Sequence, residues 1–426
     1  MLGAAGTGRT ADAEVLAIDL PAVMALAGAR NLDVQAAVLA ADEARAARTS
    51  ALERFLPSLS PAIASTRHEG TTQAADGTIL DVTKTSYTAG LTLAAQVPLG
   101  ESVYGALQAR QLVKAADAAT DVQRQDSLLA AVQQYFELVR ARAQLAIARE
   151  ALEVSQNYGR QLDEAVSAGI AFKGDALRVQ TQSQRLQIGV QQAEVAQQQA
   201  AARLVQILNL DPATVLQPAE AEPRVLVVAG VAGSETELLA QALRDRPELV
   251  RSAAQVEAAT AAHRATTIGP AIPSIGAQAF GGQFGANAGS AGASRDYYLG
   301  LNWRIGAGGL FDLGRIRAAD ARERGVRIGD EKLRAEIARQ VVESHAQVAG
   351  LREQARLGES AVAAAAETLR LTRDRKQLGV GTVLEDIQAQ QELVSARSQW
   401  LTAVTELDKA QYALLRALGG LQTGGR

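Results

Sequence analysis

Residues 310–318 read LFDLGRIRA, and they separate two patterns that one secondary structure cannot hold. Just before them, DYYLGLNWRI (296–305) alternates: Tyr297, Leu299, Leu301, Trp303 and Ile305 are apolar, and Asp296, Tyr298, Gly300, Asn302 and Arg304 stand between them. A period of two is that of a strand with one apolar face. Just after them runs a Pro-free segment rich in Ala, Arg and Glu, the composition of a long helix. The chain passes from strand to helix within a few residues, and LFDLGRIRA is the join.

The same switch occurs earlier. Between Tyr87 and Val97 the residues Tyr87, Ala89, Leu91, Leu93, Ala95 and Val97 are apolar, and Ser86, Thr88, Gly90, Thr92, Ala94 and Gln96 are small or polar. Pro98 and Gly100 then break the strand. Other stretches recur in the same order: FLPSLS (55–60) with AIPSIG (271–276), AGLTL (89–93) with LGLNW (299–303), and AGIAFKGDALRVQ (168–180) with LGVGTVLEDIQAQ (378–390). A nearly constant offset of about 210 residues predicts a duplicated unit.

The ten prolines set the layout, because Pro costs a helix interior about 3 kcal/mol and segments 99–211 and 274–426 contain none. The reading is a disordered N-terminus over 1–16 and a first repeat over 17–210. Its strands lie near 58–70 and 83–97, and its long helices near 101–168 and 174–209. A linker over 211–234 leads to a second repeat over 235–420, with strands near 273–286 and 295–305, helices near 312–377 and 383–417, and a tail over 421–426. Heptad stripes (Leu138, Leu145, Leu152; Leu393, Trp400, Leu407, Leu414; Ile387, Val394, Leu401) predict antiparallel coiled-coil helices, and two stripes on one helix mean two packing partners. Segment 180–206, with ten Gln, reads as a helix with one wet face.

Composition narrows the function. Aromatics are 4% of 426 residues and net charge is −3 with signs interspersed, so a nucleic-acid partner has no support. The absence of Cys excludes disulfides, thiolate metal sites and a lipid-modified cysteine in the chain as given. His68, His263 and His345 lack ligand spacing, so no metal and no cofactor is expected. Gly-rich GGQFGANAGSAGASRD lacks the Gly-Lys-Ser/Thr ending of a phosphate loop, and with no nucleophile–base pair an enzyme is not expected. No apolar run is long enough for a membrane helix, and MLGAAGTGRTADAEV does not read as a signal peptide, so export is assumed rather than read.

The strands carry the functional signal. Segments of about ten residues, apolar on one side and polar on the other, with aromatics near the ends, fit outer-membrane barrels. They also fit a half-buried sheet in a soluble helical scaffold. Strand arithmetic separates the two: four strands per chain would leave two edges whose unpaired backbone groups each cost several kcal/mol in lipid. Two copies supply eight strands, about the number that side chains fill, whereas three supply twelve and leave a lumen.

Leu310-Phe311-Asp312-x-Gly314-Arg315, the paired Leu-Pro-Ser-Leu and Ile-Pro-Ser-Ile, and Leu378-Gly379-Val380-Gly381-Thr382 ahead of Asp386-Ile387-x-Ala389-Gln390 together resemble the TolC-type outer-membrane factor family. The resemblance covers nearly the whole chain. It implies a mainly α fold with a small β part: a trimeric 12-stranded transmembrane β-barrel on a 12-helix periplasmic tunnel, whose helices of about 60 residues would span ~90 Å. The implied role is that of a passive outer-membrane channel in a tripartite efflux system of a Gram-negative bacterium, with its helices in the periplasm. The implied partners are two further copies, outer-membrane lipid, a periplasmic adaptor (membrane fusion) protein and, through it, an inner-membrane pump. A channel for type I protein secretion is the alternative within this class.

By the same resemblance, Gly169, Ile170, Ala171, Phe172 and Gly379, Val380, Gly381, Thr382 fall at the periplasmic tips that meet the adaptor. Pro98, Gly100, Phe311, Asp312 and Gly314 fall at the barrel–helix joins, where Asp312 is suited to cap the helix. Asp175, Glu385 and Asp386 lie in the first turn of the returning helices; repeated threefold, they would ring the tunnel mouth and favour cations.

Overall fold

The computed structural model describes residues 15–378 and 380–422. The fold is mainly helical with a small strand part. Chain order gives β1 (Val15–Ile18), α1 (Leu20–Arg30), α2 (Leu32–Glu53), β2 (Ser58–Gln73), β3 (Ile79–Pro98), α3 (Leu99–Ser167) and α4 (Lys173–Ile207). Then follow β4 (Val215–Pro218), α5 (Glu235–Asp245), α6 (Pro247–Thr267), β5 (Ser274–Gly285), β6 (Gly292–Asn302), α7 (Leu313–Gln377) and α8 (Val383–Ala417). Most of the segment 1–16 expected to be disordered lies outside the described residues, but 15 and 16 open β1. The chain forms two compact units, one from Val38–Ala119 and Glu248–Leu333, the other from the remainder.

The first unit contains a four-stranded antiparallel sheet in the order β2-β3-β5-β6. Register turns the sequence alternation into two faces, since residues directly opposite one another in an antiparallel pair share a side. Leu59, Leu93, Ala279 and Tyr297 form one row; Ala95, Ala277 and Leu299 form the next, and Val97, Ile275 and Leu301 the one after. The other face carries Ser60, Thr92, Phe280 and Asp296, then Ala62, Gly90, Gly282 and Ser294. Glycine has a specific use on this second face. A Cβ at Gly90 or Gly282 would strike the ring of Phe280, and one at Gly300 would strike the phenol of Tyr298. Each ring lies over a strand position kept bare for it.

The joins at the foot of the sheet are equally close. Pro98 ends β3 and α3 begins at the next residue, where a missing N–H leaves no helical bond unmade. A Cβ on Gly100 would overlap the carbonyl oxygen of Gly269, so backbone meets backbone there. At the second join Gly306 and Gly308 have positive φ, and so does Phe311 at φ 74, a conformation that costs a residue with a Cβ about 1–2 kcal/mol.

The second unit is held by long helices and by a small parallel sheet of β1 on β4, which the four-strand expectation did not include. Ile18 and Leu216 from these strands enter a core with Leu128, Tyr135, Leu138 and Leu204. Leu421, expected in a tail, is buried in the same core. Of the heptad-stripe residues, Leu138, Leu145, Leu401, Leu407 and Leu414 are buried and the others are half-buried, while most of the Gln residues of α4 are exposed.

The segment after β4 is strapped to α8. Leu226 N–H donates to Asp408 Oδ1 at 3.0 Å, Val228 N–H donates to Gln411 Oε1 at 3.2 Å, and Gln411 Nε2 donates back to Leu226 O at 2.9 Å. Two side chains thereby replace a missing strand partner. Asp408 is fully buried, and its Oδ2 has no hydrogen-bond partner. Burial pushes its carboxyl up to about 7, against the opposing pull of the Leu226 N–H.

That displacement fixes the sign of a pH effect. The unfolded aspartate titrates near ~4, so the folded chain holds its proton more tightly. The resulting stability is complete below ~4 and is lost as pH rises through about 7. Asp408→Asn keeps the acceptor for Leu226 without the charge. Melting of the purified protein, followed by circular dichroism, is expected to fall more steeply between about pH 5 and pH 8 for wild type than for Asp408→Asn. Equal slopes would place the titrating group elsewhere.

Candidate functional site

Both helix-hairpin tips lie in one unit and share one apolar cluster. Leu162, Ala176 and Val179 are its buried members, with Tyr158, Val166, Ala171, Val383 and Ile387 packed on them. The turn between α3 and α4 closes at Gly169, whose φ of 76 suits glycine, while Ile170 N–H donates back to Ala165 O at 2.9 Å. Ala171 turns inward, whereas Ile170 and Phe172 are 82% and 72% exposed. Phe172 lies so close to Gly174 that a Cβ there would enter its ring.

The second turn uses other means. Gly379 lies outside the described residues. Val380 N–H donates to Arg375 O at 3.1 Å, and a Cβ at Gly381 would crowd the Lys376 backbone. Thr382 and Glu385 form a reciprocal capping box at the start of α8, with Glu385 N–H to Thr382 Oγ1 at 3.2 Å and Thr382 N–H to Glu385 Oε2 at 3.1 Å. Leu378 and Val380 are exposed. Each tip thus presents two large apolar side chains held by a locked turn.

The three acids expected to ring the tunnel mouth are placed differently from one another. Glu385 is committed to the capping box. Asp175 pairs with Arg178 at 3.3 Å. The Asp386 side chain is only 8% exposed and is faced by two cations of α7, Arg373 Nε at 3.6 Å and Lys376 Nζ at 4.0 Å. The physical reason is simple: an acid in the first turn of α8 is offset by Lys376 in the last turn of α7, where each helix dipole favours its charge, and by Arg373 one turn earlier.

A cleft of about 440 Å³ opens over this group, lined by Tyr158, Gln161, Arg373, Lys376 and Asp386 among others. Lys376 Nζ sits 3.4 Å from the Tyr158 ring centroid, a cation–π contact. Burial, and then the charges of Asp386 and Asp175, push the Tyr158 phenol up to about 12. Burial lowers the Lys376 ammonium against the pull of Asp386, and Arg373 lowers it further. Tyr158 Oη has no hydrogen-bond partner. Sequence reasoning passed over Tyr158, Arg373 and Lys376. Their available signal was two bases three residues apart on one helix face, just ahead of a glycine break.

At the sheet end, Asp312 Oδ1 accepts from Arg315 N–H at 3.1 Å and Oδ2 accepts from Gly308 N–H at 2.9 Å, which holds its carboxyl below the usual range. Gly314 lies within the first turn of α7. Among the described residues no group of His, Cys, Asp or Glu is arranged to hold a metal.

The model for outer membrane efflux proteins matches residues 23–210 and 238–420. The chain belongs to the outer membrane efflux protein family. Membership carries an outer-membrane location. Protein CyaE of Bordetella pertussis is 31% identical over 328 residues, covering 70% of this chain; the chain spans 63% of that relative's length. Two solved structures share the fold. A membrane protein from Pseudomonas aeruginosa has a TM-score of 0.83 at 22% identity, over 96% of this chain and 91% of that one. The Campylobacter jejuni CmeC outer membrane channel has a TM-score of 0.82 at 15% identity, over 96% and 87%.

Removing the Asp386 carboxylate would leave two cations facing each other beside an aromatic ring. Discounted for the exposure of Arg373, the loss for Asp386→Ala is about 1–2 kcal/mol of local stability. Hydrogen exchange is expected to quicken roughly tenfold across 373–390, with little change at the strap on α8. Unchanged exchange at the tip would show that the ion group does not hold it.

Proposed function

We propose that three copies of this chain form a passive outer-membrane channel. The sheets pool twelve strands into one barrel, and the long helices build a tunnel that reaches into the periplasm. The observation that carries this is the sheet itself: two unpaired edges, a face whose rows from Leu59–Tyr297 to Val97–Leu301 are apolar, and a second face with Ser60, Thr92, Ser294 and Asp296. Lipid demands that every backbone group be paired, and with four strands per copy twelve is the first multiple beyond the eight that side chains fill. Family membership supports the same reading.

In this proposal the two tandem repeats each contribute a hairpin and a helix pair, and the tips receive a periplasmic adaptor protein. Ile170, Phe172, Leu378 and Val380 are exposed on turns locked by glycine and by a capping box, which suits a surface that another protein covers. An inner-membrane pump acts through that adaptor, and the channel itself performs no chemistry. The cation-favouring mouth remains a proposal. It rests on Asp175 more than on Asp386, because Arg373 and Lys376 already offset the latter. Secretion of proteins through the same conduit is the second reading. The pump, not the channel, decides between them.

The test is extraction and mass. The protein is expected in the membrane fraction, to need detergent, and to show a three-chain mass by light scattering. A monodisperse monomer in plain buffer would overturn the channel and favour a soluble helical scaffold.

A further inference from the structure

We propose that the second face of the four-stranded sheet, the one with Thr92 and Ser294, holds flat aromatic cations, with Phe280 and Tyr298 as a stacking floor and Asp296 as the counter-charge. The channel reading above makes this face the lumen wall; the inference rests on that reading and adds the class of solute that the wall retains.

The first observation is how two rings lie. Phe280 and Tyr298 stand on adjacent strands one row apart, since Phe280 is opposite Asp296 and Tyr298 is opposite Gln278. Side chains in that diagonal relation start about 7–8 Å apart. Neither ring stands up from the sheet. Phe280 is laid over Gly90 and Gly282, the row on one side, where a Cβ would meet its ring. Tyr298 is laid over Gly276 and Gly300, the row on the other side, by the same test. The rings therefore fold away from each other along the strands, each with backbone beneath it. Tyr298 is still 54% exposed, and Phe280 is half-buried. Phe284, one row beyond Gly282 on the same face, is exposed as well and widens the floor. Covering glycine accounts for the inner side of these rings, and leucine would do it equally. A ring adds a flat π surface that faces outward. In a chain that is 4% aromatic, three rings on a polar face need a reason beyond cover.

The second observation is charge. Over the four rows from Ser58–Tyr298 to Ala64–Gly292, Asp296 is the single charged residue of this face. It is exposed, its Oδ2 accepts from Ser294 Oγ at 3.3 Å, and among the described residues no base pairs with it. It stands directly across from Phe280, at the distance where cross-strand side chains meet. Stacking surface and an unoffset carboxylate together suit a solute that is both flat and positive. A compact alkylammonium gains nothing from the floor, and an aromatic anion is repelled by Asp296.

Binding to the protein in dodecyl maltoside tests this. N-methylacridinium joins a flat ring system to a fixed positive charge and reports its own binding by fluorescence anisotropy. Saturable binding is expected, and neither tetraethylammonium nor anthracene-9-carboxylate should displace it. Phe280→Leu with Tyr298→Leu keeps an apolar cover on the glycines and removes both π surfaces, so affinity should fall about tenfold. Asp296→Asn should weaken binding about fivefold, and Tyr298→Phe should bind as wild type. Asp296 is exposed, so its variant decides the matter even where the double variant fails to assemble. Wild-type affinity in either of these two, or displacement by tetraethylammonium, would overturn the site. Light scattering on the same samples reads assembly separately. A trimer that does not bind removes the site and leaves the channel standing; a monomer removes the lumen on which the inference rests.

Discussion

Everything in this chain answers to two strand edges without partners. β2 and β6 each have a neighbour on one side only, over 16 and 11 residues. In water such an edge is satisfied by solvent; in hydrocarbon each unpaired group costs several kcal/mol. The same sheet displays Leu59, Leu93, Tyr297, Leu299 and Leu301 on a single exposed face. In the proposed channel, an apolar face that seeks lipid and edges that forbid it are reconciled because neighbouring copies complete each other's ladders.

The remaining features follow from mounting such a sheet on helices. Backbone must turn sharply where strand becomes helix, and the two joins do this differently. One uses Pro98 with the close approach of Gly100 to Gly269; the other uses two glycines, the Asp312 clamp and a strained phenylalanine. At the hairpin tips the turns are locked by Gly169 and by the Thr382–Glu385 box. Within the helical unit, stability comes from leucine stripes and from a linker tied to Asp408 and Gln411.

Much of this was legible because it is periodic or punctuated. Alternation over Tyr87–Val97 announces a two-faced strand, a Pro-free run announces a long helix, and LFDLGR announces the family. What escaped has neither property. β1 and β4 are four residues each, VLAI and VLQP, and pair across some 200 positions, so no local pattern marks them. Asp408 reads as one more acid on an amphipathic helix; only the approach of Leu226 makes it a buried anchor. For Asp386, sequence gives the helix position but not the bases across from it. Arg373 and Lys376 come from the partner helix. Partners contributed by another element are what one-dimensional reading lacks.

The proposed pairing of one copy's β2 with the next copy's β6 can be trapped directly. Ala62 and Ser294 share a face at opposite edges of the sheet, three strand spacings or ~14 Å apart, too far for a disulfide within one chain. In this Cys-free protein, Ser294→Cys is combined in turn with Ser60→Cys, Ala62→Cys and Ala64→Cys, and the detergent-purified protein is oxidised. The account predicts that at least one pair yields two- and three-chain species on a non-reducing gel and nothing larger, as a closed ring of three requires. Single chains alone across the series, or an open-ended ladder, would contradict it.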